Sequence, residues 1–260
     1  MEILVCVKRV PTVGGAITLT ADGQAVDTRM SGFTISPHEE CAVEEAVRLV
    51  DRHGGSVTVV TLGPVEAEEQ LRFCLSLGAS KAVLLEACGA GEFGPIATAS
   101  ALASVAESGA FDLVLLGNEA SDTGDYQVGI RLAHLLRQPV ATGIKALSVA
   151  FDGASGSVEA MSVEAAREYR GVSETFRLPL PAVVTVKEGI NLPRYPSLPG
   201  RLRAKRASIE RIPVQFAPEG LRMRTLRVPV AGQHTATVLG HGVDAVPDLV
   251  RVLGELGVLS

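Results

Sequence analysis

Residues 111–136 read FDLVLLGNEASDTGDYQVGIRLAHLL, and this stretch decides the fold. The apolar run Leu113 to Leu116 has the length of a buried parallel strand, and Gly117 ends it ahead of a polar segment rich in Ser, Asp and Gly. A helix is predicted from near Asp125. Strand, loop and helix in that order put the loop beyond the carboxyl end of a strand, where open α/β sheets bind ligands. The helix that follows offers unpaired backbone N–H groups to a phosphate. Asp122 and Asp125 would repel that phosphate unless they point away, bind ribose hydroxyls or cap the helix. For either Asp alone, capping is the simpler reading.

Upstream, the chain alternates strands and helices. MEILVCV (1–7) reads as a strand, followed by Lys8, Arg9, a Pro/Gly loop and a short polar hairpin over Ala16 to Asp27. Ser36-Pro37 opens a helix: Ser36 suits the N-cap, Pro37 the first helical position, and Glu39 and Glu40 the first turn, where the dipole favours them. Ala42, Val43, Ala46, Val47 and Val50 recur at helical spacing before Gly54-Gly55. Strands are predicted at Val57 to Leu62 and Ala82 to Leu85, and helices from Gly63-Pro64 to Leu77 and from Pro95 to Glu107. The resulting βαβαβαβα order predicts an α/β fold: a doubly wound, mostly parallel, Rossmann-like sheet.

The texture changes after Pro139. Lys145 to Phe151, Ser157 to Ser162, Tyr169 to Leu178 and Ala182 to Val186 read as strands set off by the turns DGASG and YRG. They are expected as antiparallel or edge additions that extend the same sheet or lie beside it. RYPSLPGRLRAKR (194–206) suits a compact core poorly, and Val214 to Val230 alternates apolar and basic residues. An amphipathic helix over Val243 to Leu256 closes the chain with nothing local to pack on. The expected organisation is an α/β domain over 1–206 and an extended C-terminal arm over 207–260, docking on a partner chain.

Composition excludes several classes. With 47% hydrophobic residues in a chain of 260, and no Trp, a core of Ala, Val and Leu is ample, as in sheets covered on both faces. A net charge of −5 gives no global attraction to nucleic acid or anionic membrane. No apolar run spans a bilayer and the start reads as a strand rather than a signal peptide, so no membrane insertion and a location in the cytoplasm or an equivalent reducing compartment are expected. Cys6, Cys41, Cys74 and Cys88 lack metal-site spacing and read as buried thiols, and the five His show no ligand-like pairing. Arg201, Arg203, Lys205 and Arg206 form a basic run without interleaved aromatics, which fits a solvated face or an acidic partner better than nucleic acid. No G-x-S-x-G occurs, and no catalytic group is singled out.

The phrases VCVKRVP (5–11), SPHEECAVEEAVRL (36–49), VTVVTLGP (57–64), LSLGASKAVLL (75–85), DLVLLGNEASDTGDYQVG (112–129) and LPLPAVVTVKEGINLPRYPSLPG (178–200) stand in one order. Together they resemble the β subunit of electron transfer flavoproteins, over residues 1 to about 206. The ending DAVPDLVRVLGELGVLS is a weaker likeness to the family's closing helix. No single motif decides; the ordered set is specific. The resemblance implies an adenine nucleotide α-hydrolase-like fold and a heterodimer with a homologous α subunit that holds a redox-active FAD. The β subunit most often holds an AMP without a redox role. Electrons would arrive from a donor dehydrogenase and leave to a quinone reductase.

Carried over to this sequence, the family's nucleotide contacts fall on Cys6, on the helix start Ser36, Pro37, His38 and Glu39, on Leu62, and on the run Gly117 to Gly129. Within that run they are Gly117, Asp122, Thr123, Gly124, Asp125, Tyr126, Gln127, Val128 and Gly129, with the amides of Gly124 to Val128 holding phosphate and Cys6 and Leu62 lining the adenine. The chain departs from the pattern at three places. Ser36 replaces the usual Asn and lacks an amide's second arm. Tyr126 brings bulk where a small residue is common, and Arg170 stands where an acid is expected.

The segment Lys187 to Asn191 matches the loop by which the family recognises dehydrogenases, which implies Ile190, Asn191 and Leu192 as recognition residues with Ile190 at the anchor position. An exposed aliphatic side chain on a loop can anchor a small, transient interface. A second branch of the family holds FAD in place of AMP and bifurcates electrons, and Gln127-Val128-Gly129 is compatible with it. ATP-cleaving adenylyl-transfer proteins of this fold carry a Ser-Gly-Gly-x-Asp-Ser loop where this chain reads KRVPTVGG (8–15).

Overall fold

The computed structural model describes residues 1–12, 14, 17–87, 93–151, 160–215, 224–229 and 236–259. In chain order its elements are β1 (Glu2–Cys6), β2 (Val10–Pro11), β3 (Phe33–Thr34), α1 (Pro37–His53), β4 (Ser56–Gly63), α2 (Glu68–Leu77), β5 (Lys81–Ala87) and α3 (Pro95–Ser108). They continue with β6 (Leu113–Gly117), α4 (Val128–Leu136), β7 (Val140–Ile144), β8 (Ala146–Phe151), β9 (Ala160–Tyr169) and β10 (Val172–Pro179). The last are β11 (Ala182–Val186), α5 (Leu198–Arg206), β12 (Glu210–Val214) and α6 (Val246–Glu255). Cys88, the turn DGASG and the start of the expected strand at Ser157 lie outside the described residues.

Seven strands form one sheet in the order β12-β5-β4-β1-β6-β11-β7, and every pairing is parallel. From β1 the winding goes to β4 and β5 on one side and to β6 on the other, so the order reverses at β1. Cys6 stands opposite Val60 on one neighbour and Leu116 on the other. Beyond their carboxyl ends lies the crevice that doubly wound sheets use for ligands.

Alternate residues of each strand feed two cores. Ile3, Val5, Val59, Leu113 and Leu115 pack with Val43, Ala46 and Leu71 of α1 and α2. Leu4, Cys6, Val60, Leu85 and Leu116 pack with Leu102, Val105 and Leu132 of α3 and α4. Strands covered on both faces must be apolar at every position, which is why runs such as ILVC and LVLL do not alternate. Each fully buried Leu or Ile contributes about 2 kcal/mol.

Three features differ from the expectation, in β11, β7 and α5, while the antiparallel strands expected beside the sheet are found. β11, expected as an antiparallel or edge strand, lies inside the parallel sheet between β6 and β7, with all five residues buried. The uninterrupted run AVVTV is the pattern of a strand with two covered faces. β7 was hidden by Thr142 and by Gly143, which sits at φ 72. The antiparallel strands β8, β9 and β10 form a separate sheet, with β9 and β10 joined through Arg170 and Gly171, both at positive φ as a tight hairpin requires. The basic stretch thought ill-suited to a core is the helix α5. Ser197 caps it by accepting from Gly200 N at 3.1 Å, and Gly200 lets it approach the backbone carbonyl of Ser76 at the end of α2, where a Cβ would collide.

The parallel sheet continues beyond residue 206 to β12. Met1–Ala16 with Asp27–Arg224 form one compact unit, and Ile17–Val26 with Thr225–Ser260 a second. In the second unit Leu19 bridges Val26, in keeping with the expected polar hairpin, and Leu226 N donates to Gly23 O at 2.8 Å. Its helix α6 buries none of its residues, while Val246, Leu249 and Val250 stand about half exposed.

Candidate functional site

The crevice is closed in by three chain segments that the fold brings together. β1 delivers Cys6 and Lys8, α1 begins at Ser36 and Pro37, and β6 delivers Gly117 and the loop that leads to α4. Gly117 is the point of closest approach: a Cβ there would lie 2.8 Å from Glu39 Cγ and 3.1 Å from His38 Cβ. Only a residue without a side chain lets the strand end rest on the first turn of α1.

Glu39 ties the first two segments together. Its Oε2 accepts from Ser36 N at 3.0 Å, the return arm of a capping box, and the carboxylate also takes the Lys8 backbone N–H. It is 6% exposed, and burial, only partly offset by these bonds and by Lys8, raises its pKa from 4.5 to about 7. The Cys6 thiol beneath is pushed up first by burial and then by Glu39.

Ser36 ties in the third segment, since its Oγ accepts from Ser121 N at 3.2 Å. Lys8 Nζ pairs with Asp122 at 2.7 Å across the crevice, and Asp122 Oδ1 also accepts from Thr123 N. This pairing answers the objection that Asp122 would repel a phosphate, because its charge is met by a cation. α4 starts at Val128, three residues after Asp125, behind Gln127, which makes no side-chain cap bond. Gln127 Oε1 instead accepts from Arg131 at 2.8 Å. The Gly124 amide, expected among the phosphate donors, donates to Ala120 O at 2.9 Å. Gly129 lets α4 rest on Thr185 of β11, where a Cβ would collide with the Thr methyl.

His38 Nδ1 is buried without a hydrogen-bond partner, 4.0 Å from Glu119 Oε1. Burial lowers its pKa, opposed by Glu119 and Glu188 and reinforced by Lys187. Tyr126 holds a left-handed backbone at φ 57, and its hydroxyl bonds Glu119. Leu62 stands at the end of β4, half-buried on the α3 face that also holds Cys6. Lys8, Asn118, Glu119 and Ser121 were missed from sequence. Lys8 directly follows the central strand, and that position was the available signal. Asn118 fixes the loop's first turn, donating from its backbone to Val186 O at 2.9 Å and accepting from Thr185 Oγ1 at 2.9 Å.

Among the expected recognition residues, Ile190 is half-buried against the core and Asn191 is bonded to α1, whereas Leu192 is 90% exposed. Among the described residues no helix is long and apolar enough to cross a membrane.

Residues 25–217 match the electron transfer flavoprotein domain. The chain belongs to the electron transfer flavoprotein β subunit family. It is 36% identical over 262 residues to the β subunit of Bos taurus, covering 99% of this chain and 98% of that one. The β subunit of Bacillus subtilis is 38% identical over 181 residues, 69% of this chain and 67% of that protein. The mitochondrial β subunit of Oryza sativa is 33% identical, covering 96% of this chain and 98% of that protein.

Proposed function

We propose that this β subunit holds an AMP in the crevice between β1 and β6 and pairs with a FAD-bearing α subunit. Together they accept electrons from a donor dehydrogenase and deliver them to a quinone reductase, in the cytoplasm. The observation that carries the reading is the convergence at the switch point of the strand end at Gly117, the capped start of α1 and the cation of Lys8. The chemistry of these groups fits a nucleotide. The open first turn of α4 suits a phosphate, with Lys8 offsetting the charge of Asp122 beside it; the partnerless Nδ1 of His38 suits a polar ligand atom, and Cys6 and Leu62 suit an adenine. With Gly124 N committed to Ala120 O, the amides of Asp125 to Val128 remain for phosphate.

AMP supplies no electron-carrying group, so the redox chemistry belongs to the FAD of the α subunit. This chain positions, excludes water and offers docking surfaces. The exposed apolar face of α6 fits the role of an arm that grips the α subunit. The test is the nucleotide content of the purified heterodimer after denaturation. FAD and AMP in equal amounts support the reading. Two equivalents of FAD replace it with the bifurcating alternative, and ATP without flavin overturns it.

A further inference from the structure

Glu119, two residues beyond the end of β6, reaches across the loop that leads to α4. Its Oε1 stands 4.0 Å from His38 Nδ1 in the first turn of α1. Its Oε2 lies 3.8 Å from the place a Cβ on Gly124 would take, and the Tyr126 hydroxyl donates to the same carboxylate. The side chain is 28% exposed, so contacts on two chain segments hold it against the loop instead of leaving it to turn freely in water. Tyr126 stands where the family pattern has a small residue, and it keeps a left-handed backbone at φ 57 while its hydroxyl meets Glu119.

The place of this carboxylate gives it a consequence. Gly124 and Tyr126 belong to the turn whose amides, Asp125 to Val128, remain for phosphate, so Glu119 sets a negative charge beside those donors. The cations nearby are engaged elsewhere. Lys8 is taken by Asp122 at 2.7 Å, and Lys187 bears on His38, where Glu188 opposes it. Asp125 adds a further exposed acid to the same turn. Amides at a helix start can meet the charge of one phosphate. A second phosphate brings charge that finds acids.

Resting on the reading that the crevice holds a nucleotide, we propose that Glu119 is a specificity-determining residue that restricts the crevice to nucleoside monophosphates. ADP, ATP and the diphosphate of FAD are turned away by like charge beside the phosphate donors rather than by lack of room. Tyr126 is its positioning residue, since the hydroxyl keeps the carboxylate over the loop.

The experiment uses the heterodimer with the flavin of its α subunit in place, dialysed to equilibrium against labelled AMP with unlabelled AMP, ADP or FAD as competitor. The parent is expected to prefer AMP over ADP by about tenfold or more at low salt, and the preference should shrink as salt screens the loop. Glu119→Gln keeps the shape and an acceptor for Tyr126 but loses the charge. It should lower the preference about fivefold and remove most of its salt dependence. Tyr126→Phe frees the carboxylate and is expected to lower the preference by a smaller factor, about twofold. The salt series on the parent needs no variant, so the proposal stays open to refutation even where a substitution disturbs the loop. The same AMP-to-ADP preference in the parent and in Glu119→Gln overturns the proposal. A preference indifferent to salt in the parent points to shape rather than charge and overturns it as well. A parent that binds AMP and ADP alike sinks the proposal alone, whereas a parent that binds no AMP sinks the nucleotide reading and the proposal with it.

Discussion

Helices α1 and α6 both repeat apolar residues at helical spacing, and they end in opposite circumstances. α1 buries six apolar residues in the core beneath the sheet, including Val43 and Ala46 with no exposed surface. α6 buries none. Periodicity reports that a helix has an apolar face; it does not report where the covering surface comes from. For α1 that surface is written in the same chain as the consecutive apolar runs of β1, β4 and β6. For α6, a second chain is the source our functional reading assigns.

The widest separation between the two helices comes from putting a charge on each face. Val43→Asp places a carboxylate in the core without a partner, and the expected loss is about 4 kcal/mol, read as a collapse of the urea midpoint. Leu249→Asp is expected to leave the midpoint of the chain alone within about 0.5 kcal/mol while abolishing co-elution with the α subunit. Equal losses of stability from both substitutions would mean that α6 has its cover within this chain, and the comparison would fail.

The same contrast explains how much of the molecule could be read in advance. Elements with a local cause were legible: Ser36-Pro37 opens α1, and Gly117 ends β6. β11 was visible as a strand, yet its place between β6 and β7 is a long-range fact that AVVTV alone does not carry. α5 was lost because Pro199, Gly200 and four basic residues outweigh its Ser197 cap, and Gly200 is explained only by the Ser76 carbonyl it packs against. In the site, residue types that approach through backbone, such as Gly117 and Gly129, could be singled out from the family pattern. Asn118, Glu119 and Ser121 could not, because their partners Thr185, His38 and Ser36 are remote in sequence. Ile190 and Leu192 differ by two positions, and only the packed chain tells which of them faces water.

A smaller effect probes what burial costs α1 at its N-terminal end. Glu39 has a folded-state pKa of about 7 against an ordinary 4.5, so the fold binds an extra proton between these values. Its contribution to stability is therefore whole below pH 4.5 and disappears as pH rises through 7, a loss on the order of 3 kcal/mol. In Glu39→Gln that part of the slope should vanish. Urea midpoints of both proteins between pH 4.5 and 8 isolate it, because all other titrating groups are shared. Parallel pH profiles would mean that Glu39 is ionised throughout and that its burial is relieved in solution. The α6 carboxylates Asp248 and Glu255, exposed and paired with Arg251, provide the matching control: their replacement by amides should leave the slope unchanged.

The smallest effect measures how far the hold of α1 extends into the loop that leads to α4. Tyr126 keeps a left-handed backbone at φ 57 although it carries a full side chain and stands half exposed. Such a conformation costs roughly 1 kcal/mol and persists only where the surroundings impose it. Here the surroundings are Ser121 N on Ser36 Oγ, Asp122 on Lys8, and Glu119 beside His38, and two of these partners, Ser36 and His38, lie just before or on α1. Asn tolerates this region and should gain a few tenths of a kcal/mol over Tyr, whereas β-branched Val should lose about 1 kcal/mol. The order Asn, Tyr, Val in thermal midpoint would show that the loop is forced into shape before any ligand arrives. Should Val prove as stable as Tyr, the loop relaxes at no cost, and α1 governs the strand ends it touches but not the turn beyond them.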